Sequence, residues 1–130
     1  MIKTICVCGA GTMGSGIAQV AAQAGYQTIQ FDINESMLQK SKAIIDKTLQ
    51  MLVDKNKITS QQQTDTLNNL VFTAEINDCI ADIVIEAIIE KKEAKVDLFN
   101  KLAAINATQT ILATNTNCCH RFLLVRFKFF

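Results

Sequence analysis

An apolar run, Ile2–Lys3–Thr4–Ile5–Cys6–Val7–Cys8, breaks into Gly9–Ala10–Gly11–Thr12–Met13–Gly14. A stretch rich in alanine follows, and a second apolar run then ends on Asp32. Strand, glycine turn, helix, strand and acid is the order that a dinucleotide-binding βαβ unit requires. Each glycine has its own reason. Gly9 permits the tight turn out of the first strand, and Gly11 removes the side chain that would block a pyrophosphate. Gly14 lets the next helix pack close to the sheet, with its free N–H groups and partial positive charge facing the phosphates. An isolated GxGxxG is weak evidence, since glycine turns are common; in this order it is a specific signal.

Asp32 bears on which dinucleotide. It stands eighteen residues beyond Gly14, at the end of the second strand, where a carboxylate accepts hydrogen bonds from an adenosine ribose. A 2′-phosphate there would meet like charge, and no Arg or Lys adjoins Asp32 to neutralise it. The residue therefore points to NAD rather than NADP. A plainer reading makes Asp32 a turn residue or helix N-terminal acid beside Asn34, which can itself cap the next helix.

Beyond Asp32 the chain keeps alternating. From Asn34, the apolar residues Met37, Leu38, Ile44, Ile45, Leu49, Leu52 and Val53 predict a long amphipathic helix. Thr59–Ser60–Gln61–Gln62 predicts a capping box for a short helix reaching Leu70. Val71–Phe72–Thr73 reads as a short strand. Ile83–Val84–Ile85, within the apolar stretch 81–89, reads as a strand buried on both faces. Residues 91–105 return to helical spacing with Leu98, Leu102 and Ile105 inward, and Thr110–Ile111–Leu112–Ala113 is a further strand. Strands alternating with helices predict a doubly wound α/β domain with a mainly parallel sheet and helices on both faces.

Composition narrows the function classes. A formal charge of +1 gives no footprint for nucleic acid, and no apolar run approaches the roughly 18 residues of a membrane helix. A signal-peptide reading of the N-terminus fails, because cleavage would destroy the first strand. Five cysteines give no disulfide framework, and a reducing, cytoplasmic setting is expected. Cys6 and Cys8 share one strand face and read as small buried apolar residues. Cys118, Cys119 and His120 are adjacent and cannot easily converge on one ion, so no metal site is expected. The last thirteen residues change character: residues 1–117 carry ten Lys against twelve acids, whereas 118–130 hold both Arg residues and four of the seven Phe. We read 1–117 as the domain and 118–130 as an atypical basic and aromatic tail that does not belong to it.

Gly9-Ala-Gly-Thr-Met-Gly-Ser-Gly-Ile-Ala-Gln19, Phe31-Asp-Ile-Asn34, Val84-Ile-Glu-Ala-Ile-Ile-Glu90 and Ile111-Leu-Ala-Thr-Asn-Thr116 resemble the NAD-binding domain of the 3-hydroxyacyl-CoA dehydrogenases, and among them the short-chain bacterial 3-hydroxybutyryl-CoA enzymes. The resemblance covers residues 1–116. It implies a Rossmann-type fold, NAD as cofactor and hydride exchange with the 3-hydroxyl of an acyl-CoA. By the same resemblance Gly9, Ala10, Gly11, Thr12, Met13 and Gly14 hold the pyrophosphate and Asp32 the adenosine ribose. Glu90 then lies near the nicotinamide, Lys95 lines the cofactor and acyl-CoA cleft, and Asn115 stands on the nicotinamide side. Read without the family, Glu90 and Lys95 are charges at a helix start.

The chain departs from the family after Thr116. Asn117 and Cys118 stand where the family has a serine pair, and the histidine before a Phe-Phe-Asn-Pro motif and its partner glutamate are missing. His120 is out of place for that base, so no catalytic residue is expected here. The resemblance also implies a C-terminal domain that completes the acyl-CoA site and the dimer, which is not expected within these residues. The expectation is a truncated NAD-binding domain that holds cofactor without turnover. A stand-alone NAD-binding module docking a partner through its tail is the rival, as is a fragment of another β-hydroxyacid dehydrogenase.

Overall fold

The computed structural model describes residues 1–88 and 91–114. Along the chain run β1 (Thr4–Cys8), α1 (Thr12–Gln23), β2 (Gln27–Phe31), α2 (Glu35–Asp54), α3 (Ser60–Asn68), β3 (Leu70–Thr73), a 3-10 turn (Ile76–Asp78), β4 (Ile83–Glu86), α4 (Lys92–Ile105) and β5 (Ile111–Thr114). The strands form one sheet in the order β3-β2-β1-β4-β5, every pairing parallel. β1 is thus the middle strand, covered on both faces, which explains its unbroken apolar run.

Alternation along β1 divides the core in two. Ile5 and Val7 face α1 and α2, where they pack with Ala18, Ala21, Ala22, Ile45 and Leu49. Cys6 and Cys8 face the other way, against Leu98 and Leu102 of α4, with Cys79, Val84 and Leu112. The doubly wound arrangement follows directly: helices lie on both faces of a parallel sheet. Cys6 and Cys8 are fully buried on one face, as their spacing predicts. Cys79 joins them, the three sulfurs lying within 4.8 Å of one another. The Cys79 and Cys8 sulfurs, and then burial, raise the Cys6 thiol; the bond with Cys6 lowers Cys8, but Cys79 and burial outweigh it and raise that thiol, while bonds with Cys6 and Cys8 draw Cys79 down.

Local signals account for most element ends. Asn34 caps α2 by accepting from the Ser36 amide, and Thr59 and Gln62 form the reciprocal capping box of α3. Ala24 closes α1, and Gly25 beyond it takes φ +96°, a left-handed conformation that suits glycine. Several details differ from the sequence reading. α3 stops at Asn68 and Leu70 opens β3, because Thr28 on β2 and Leu70 are already in register. β5 is shifted one residue, from Ile111 to Thr114. In α2 the buried line is Leu38, Ser41, Ile45 and Leu49, whereas Ile44 is 53% exposed. Leu98 and Leu102 point inward from α4 as expected, while Ile105 is only partly buried. Glu90, Asn115, Asn117 and the segment 118–130, with Cys118, Cys119 and His120, lie outside the described residues.

Candidate cofactor site

The chain reverses its direction of travel across the sheet between β1 and β4: β2 and β3 extend to one side of β1, β4 and β5 to the other. In such sheets the crevice at the carboxyl ends of the strands flanking the reversal is the ligand site. Register brings the candidate residues to that one end. Cys8 lies opposite both Phe31 and Glu86, and Glu86 lies opposite Thr114. The Gly9–Gly14 turn leaves β1 there, Asp32 leaves β2, and Ala87 and Ile88 leave β4.

The three glycines are required for different reasons. Gly9 has φ +117°, and a Cβ added to it would sit 2.5 Å from the Ala87 carbonyl oxygen. The turns after β1 and β4 therefore touch backbone to backbone, and Ala87 N–H donates to Cys8 O at 2.8 Å. A Cβ on Gly14 would come within 2.0 Å of the Gly9 carbonyl oxygen. The sequence reading assigned Gly14 to helix–sheet packing; the obstruction is the glycine turn itself. Gly11 differs from both: nothing lies within 4 Å of a Cβ there. Its missing side chain leaves open space at the mouth of the crevice rather than relieving an internal clash.

α1 begins at that opening. Gly11 is its N-cap, no side chain caps it, and its first turn contains no acid. The first amides of a helix have no intrahelical acceptor. With the helix dipole behind them, they form a site for an anion. The carbonyls of the same turn are held from below. Ser15 Oγ donates to Gly11 O at 2.7 Å, and Gln30 Nε2 donates to Gly9 O at 3.3 Å. Ser41 Oγ donates to Gln30 Oε1 at 2.6 Å and also lies 2.6 Å from Ser15 Oγ. Ser15, Gln30 and Ser41 are all buried, so α1, β2 and α2 share one polar network beneath the turn. No sequence motif flagged these three.

Asp32 is half-buried, and both of its oxygens are engaged. Oδ2 accepts from Ala10 N at 3.0 Å and Oδ1 from Asn34 N at 2.9 Å. The plain reading as a turn residue is thus correct as far as it goes, since Asp32 ties the glycine turn to the start of α2. Each carboxylate oxygen has lone-pair capacity beyond these bonds for two ribose hydroxyls. Thr12 and Met13 open α1, and Met13 is exposed.

Glu86 was not singled out by the sequence reading as a site residue, yet it is fully buried at the end of β4. Its Oε1 accepts from Ile88 N at 2.8 Å and its Oε2 from Thr114 Oγ1 at 2.5 Å. Lys95 Nζ lies 3.9 Å from Oε1, with the lysine side chain only 12% exposed. The available signal is an acid at the end of an apolar strand, the pattern that also marks Asp32 just after β2.

A five-stranded parallel sheet with a glycine turn, an open helix N-terminus and an acid after β2 defines a Rossmann-type dinucleotide-binding domain. Residues 4–122 match the family described as 3-hydroxyacyl-CoA dehydrogenase, NAD binding domain, and the chain belongs to that family. The match runs six residues past Thr116. A probable 3-hydroxybutyryl-CoA dehydrogenase of Deinococcus radiodurans is 42% identical over 112 residues, 85% of this chain and 40% of that protein. The crystal structure of 3-hydroxybutyryl-CoA dehydrogenase from Escherichia coli superposes with a TM-score of 0.87 at 39% identity, covering 89% of this chain and 25% of that one. The (S)-3-hydroxybutyryl-CoA dehydrogenase structure from Ralstonia eutropha gives 0.85 at 34% identity, covering 89% and 41%. The chain thus spans about two-fifths of the length of relatives such as the Deinococcus protein. NAD is the cofactor of the family, and the open space at Gly11 with the uncapped start of α1 fits a pyrophosphate. No helix among the described residues is long and apolar enough to cross a membrane.

Proposed function

We propose that this chain supplies the cofactor half of a 3-hydroxyacyl-CoA dehydrogenase, the enzyme that passes hydride between NAD(H) and the 3-hydroxyl or 3-keto group of a short acyl-CoA in fatty acid or butanoate metabolism. The observation that carries the reading is the open Gly11 position beside Asp32, at the carboxyl ends of β1 and β2, in a chain of this family. The turn from Gly9 to Gly14 receives the pyrophosphate, with the amides of Gly11, Thr12 and Met13 nearest it. Asp32 receives the adenosine ribose, Glu90 and Asn115 belong to the nicotinamide side, and Lys95 lines the cleft for cofactor and acyl-CoA. The chain's only histidine, His120, lies outside the described residues, and the proposal gives it no part as a base. Cofactor binding without oxidation of 3-hydroxybutyryl-CoA is therefore the expected behaviour of these 130 residues, in a reducing cytoplasm that suits the buried free thiols.

Calorimetric titration of the parent chain and Asp32→Ala with NADH and NADPH tests the reading. The parent should prefer NADH. Asp32→Ala should narrow the preference by on the order of ten-fold, since it removes the ribose acceptors and the charge facing a 2′-phosphate. Equal affinity for both cofactors in the parent chain would reject the assignment of Asp32.

A further inference from the structure

One face of β1 carries a cluster of thiols. Cys6 and Cys8 stand on that face, and Cys79, from the segment between the 3-10 turn and β4, meets them there. All three are fully buried, and none is in a disulfide. Cys6 Sγ lies 4.0 Å from Cys8 Sγ, and the three sulfurs lie within 4.8 Å of one another. Phe31, Val84, Leu98, Leu102 and Leu112 pack in the same cluster and give it apolar walls. No histidine nitrogen or carboxylate oxygen among the described residues joins the sulfurs at that spacing. None of the three side chains is assigned to the cofactor.

Three converging soft donors in a dry pocket restrict what can bind. Hard cations need oxygen ligands. Zn(II) in a closed protein site takes four ligands, and three are offered here. Cu(I) accepts thiolates, but with three of them it leaves a net negative charge, which is costly to bury among apolar side chains. A trivalent thiophilic element avoids both difficulties, because it takes three sulfurs and its charge cancels theirs.

We propose that Cys6, Cys8 and Cys79 form a binding site for trivalent arsenic, which arrives as arsenous acid. Three As–OH bonds break and three As–S bonds form. Each thiol proton leaves with a hydroxyl as water, arsenic stays trivalent, and nothing is oxidised or reduced. Arsenous acid is small and uncharged at neutral pH, so it crosses an apolar wall without the penalty that an ion meets. Cys79 lies outside the regular elements, and local opening of its segment gives the ligand a way in.

The test uses the full chain with Cys118→Ser and Cys119→Ser, kept reduced by a phosphine, so that Cys6, Cys8 and Cys79 are its only thiols. Sodium arsenite should bind at one equivalent, with a shell of three sulfurs around arsenic by X-ray absorption. Saturating arsenite should raise the urea midpoint, since the ligand needs all three sulfurs brought together by the fold. Cys6→Ala, Cys8→Ala and Cys79→Ala should each weaken binding by on the order of 100-fold, because each removes one intramolecular bond. No retained arsenic, a shell of two sulfurs and an oxygen, or affinity that survives loss of any one of the three would overturn the site. Zn(II) displacing arsenic from the same sulfurs would overturn the choice of ligand. If an alanine variant does not fold by circular dichroism, the sulfur count in the chain with Cys118→Ser and Cys119→Ser decides.

Discussion

Three glycines occupy one six-residue turn, and the structure predicts that alanine will have opposite consequences at them. At Gly9, alanine inherits φ +117°, far from the regions open to L-residues, at a cost of about 1–3 kcal/mol. Its Cβ would also stand 2.5 Å from the Ala87 carbonyl oxygen, so β1 and β4 must part or the turn must deform. At Gly14 the contact is shorter still, 2.0 Å, and the obstruction is backbone that cannot step aside. Each substitution should lower stability by at least about 3 kcal/mol, a large share of the roughly 5–15 kcal/mol of a typical domain. At Gly11 the backbone has φ −74° and ψ −170°, open to any residue, with no atom within 4 Å of the new Cβ. Gly11→Ala should therefore be neutral, or stabilising by about 0.4–1 kcal/mol, because the unfolded chain loses freedom.

Binding should rank the same positions differently. Gly11→Val should leave the unfolding free energy within about 1 kcal/mol of the parent and abolish NADH binding, since the side chain fills the space a pyrophosphate needs. Urea unfolding followed by circular dichroism, paired with NADH fluorescence titration, gives both readouts on each variant. Unchanged NADH affinity in a folded Gly11→Val chain would refute the assignment of the turn. Equal destabilisation at all three glycines would refute the division of roles between them.

Asp82 accepts from the Lys3 and Thr4 amides at 2.8 and 3.0 Å, and these bonds hold its carboxyl below the usual value of 3.8. A depressed carboxyl stabilises the fold above its unfolded pKa, and that contribution disappears as pH falls below about 3.8 through the folded value. Asp82→Asn should therefore flatten the acid limb of stability in that window, as measured by urea midpoints across pH; an unaltered acid limb would show that the two amides do not select the charged form. Deleting residues 118–130, which carry four of the seven Phe, should improve solubility without weakening NADH binding. Light scattering beside the NADH titration checks it, and a loss of affinity on deletion would show that the segment belongs to the domain.

Sequence and structure agree where one residue type has one physical use. The strand, turn and helix order through Asp32 needed only the glycine pattern and the apolar runs flanking it. The capping box at Thr59 and Gln62 was equally legible, because its two bonds are local. Ser41 shows where the reading fails. Helical periodicity places Ile44 in the core and passes over a serine, yet Ser41 is buried because Gln30 and Ser15, 11 and 26 positions away in sequence, satisfy its hydroxyl. Gln30 is hidden for the same reason: a glutamine in a strand looks solvent-facing until the helix that covers it is known. Glu86 was visible as an acid ending a strand, but its partners Thr114 and Lys95 come from β5 and α4, and no spacing rule joins them.

These long-range polar contacts share a purpose that the glycine motif alone does not reveal. A glycine turn is flexible in isolation, and a flexible turn cannot present its amides in one arrangement. Here Gln30 and Ser15 hold the carbonyls of Gly9 and Gly11 from below, and Asp32 fixes Ala10 N from the side. The Gly9 amide is tied to Phe31 O at 2.7 Å. With one end of each peptide dipole pinned to the protein, the amides at the start of α1 are left at the crevice. Asp32 thus serves the adenosine half of the cofactor twice over, as proposed ribose acceptor and as brace for the phosphate turn. Across the turn, Glu86 braces the ends of β4 and β5 in the same way, so that the two acids ending apolar strands bracket the site from opposite sides.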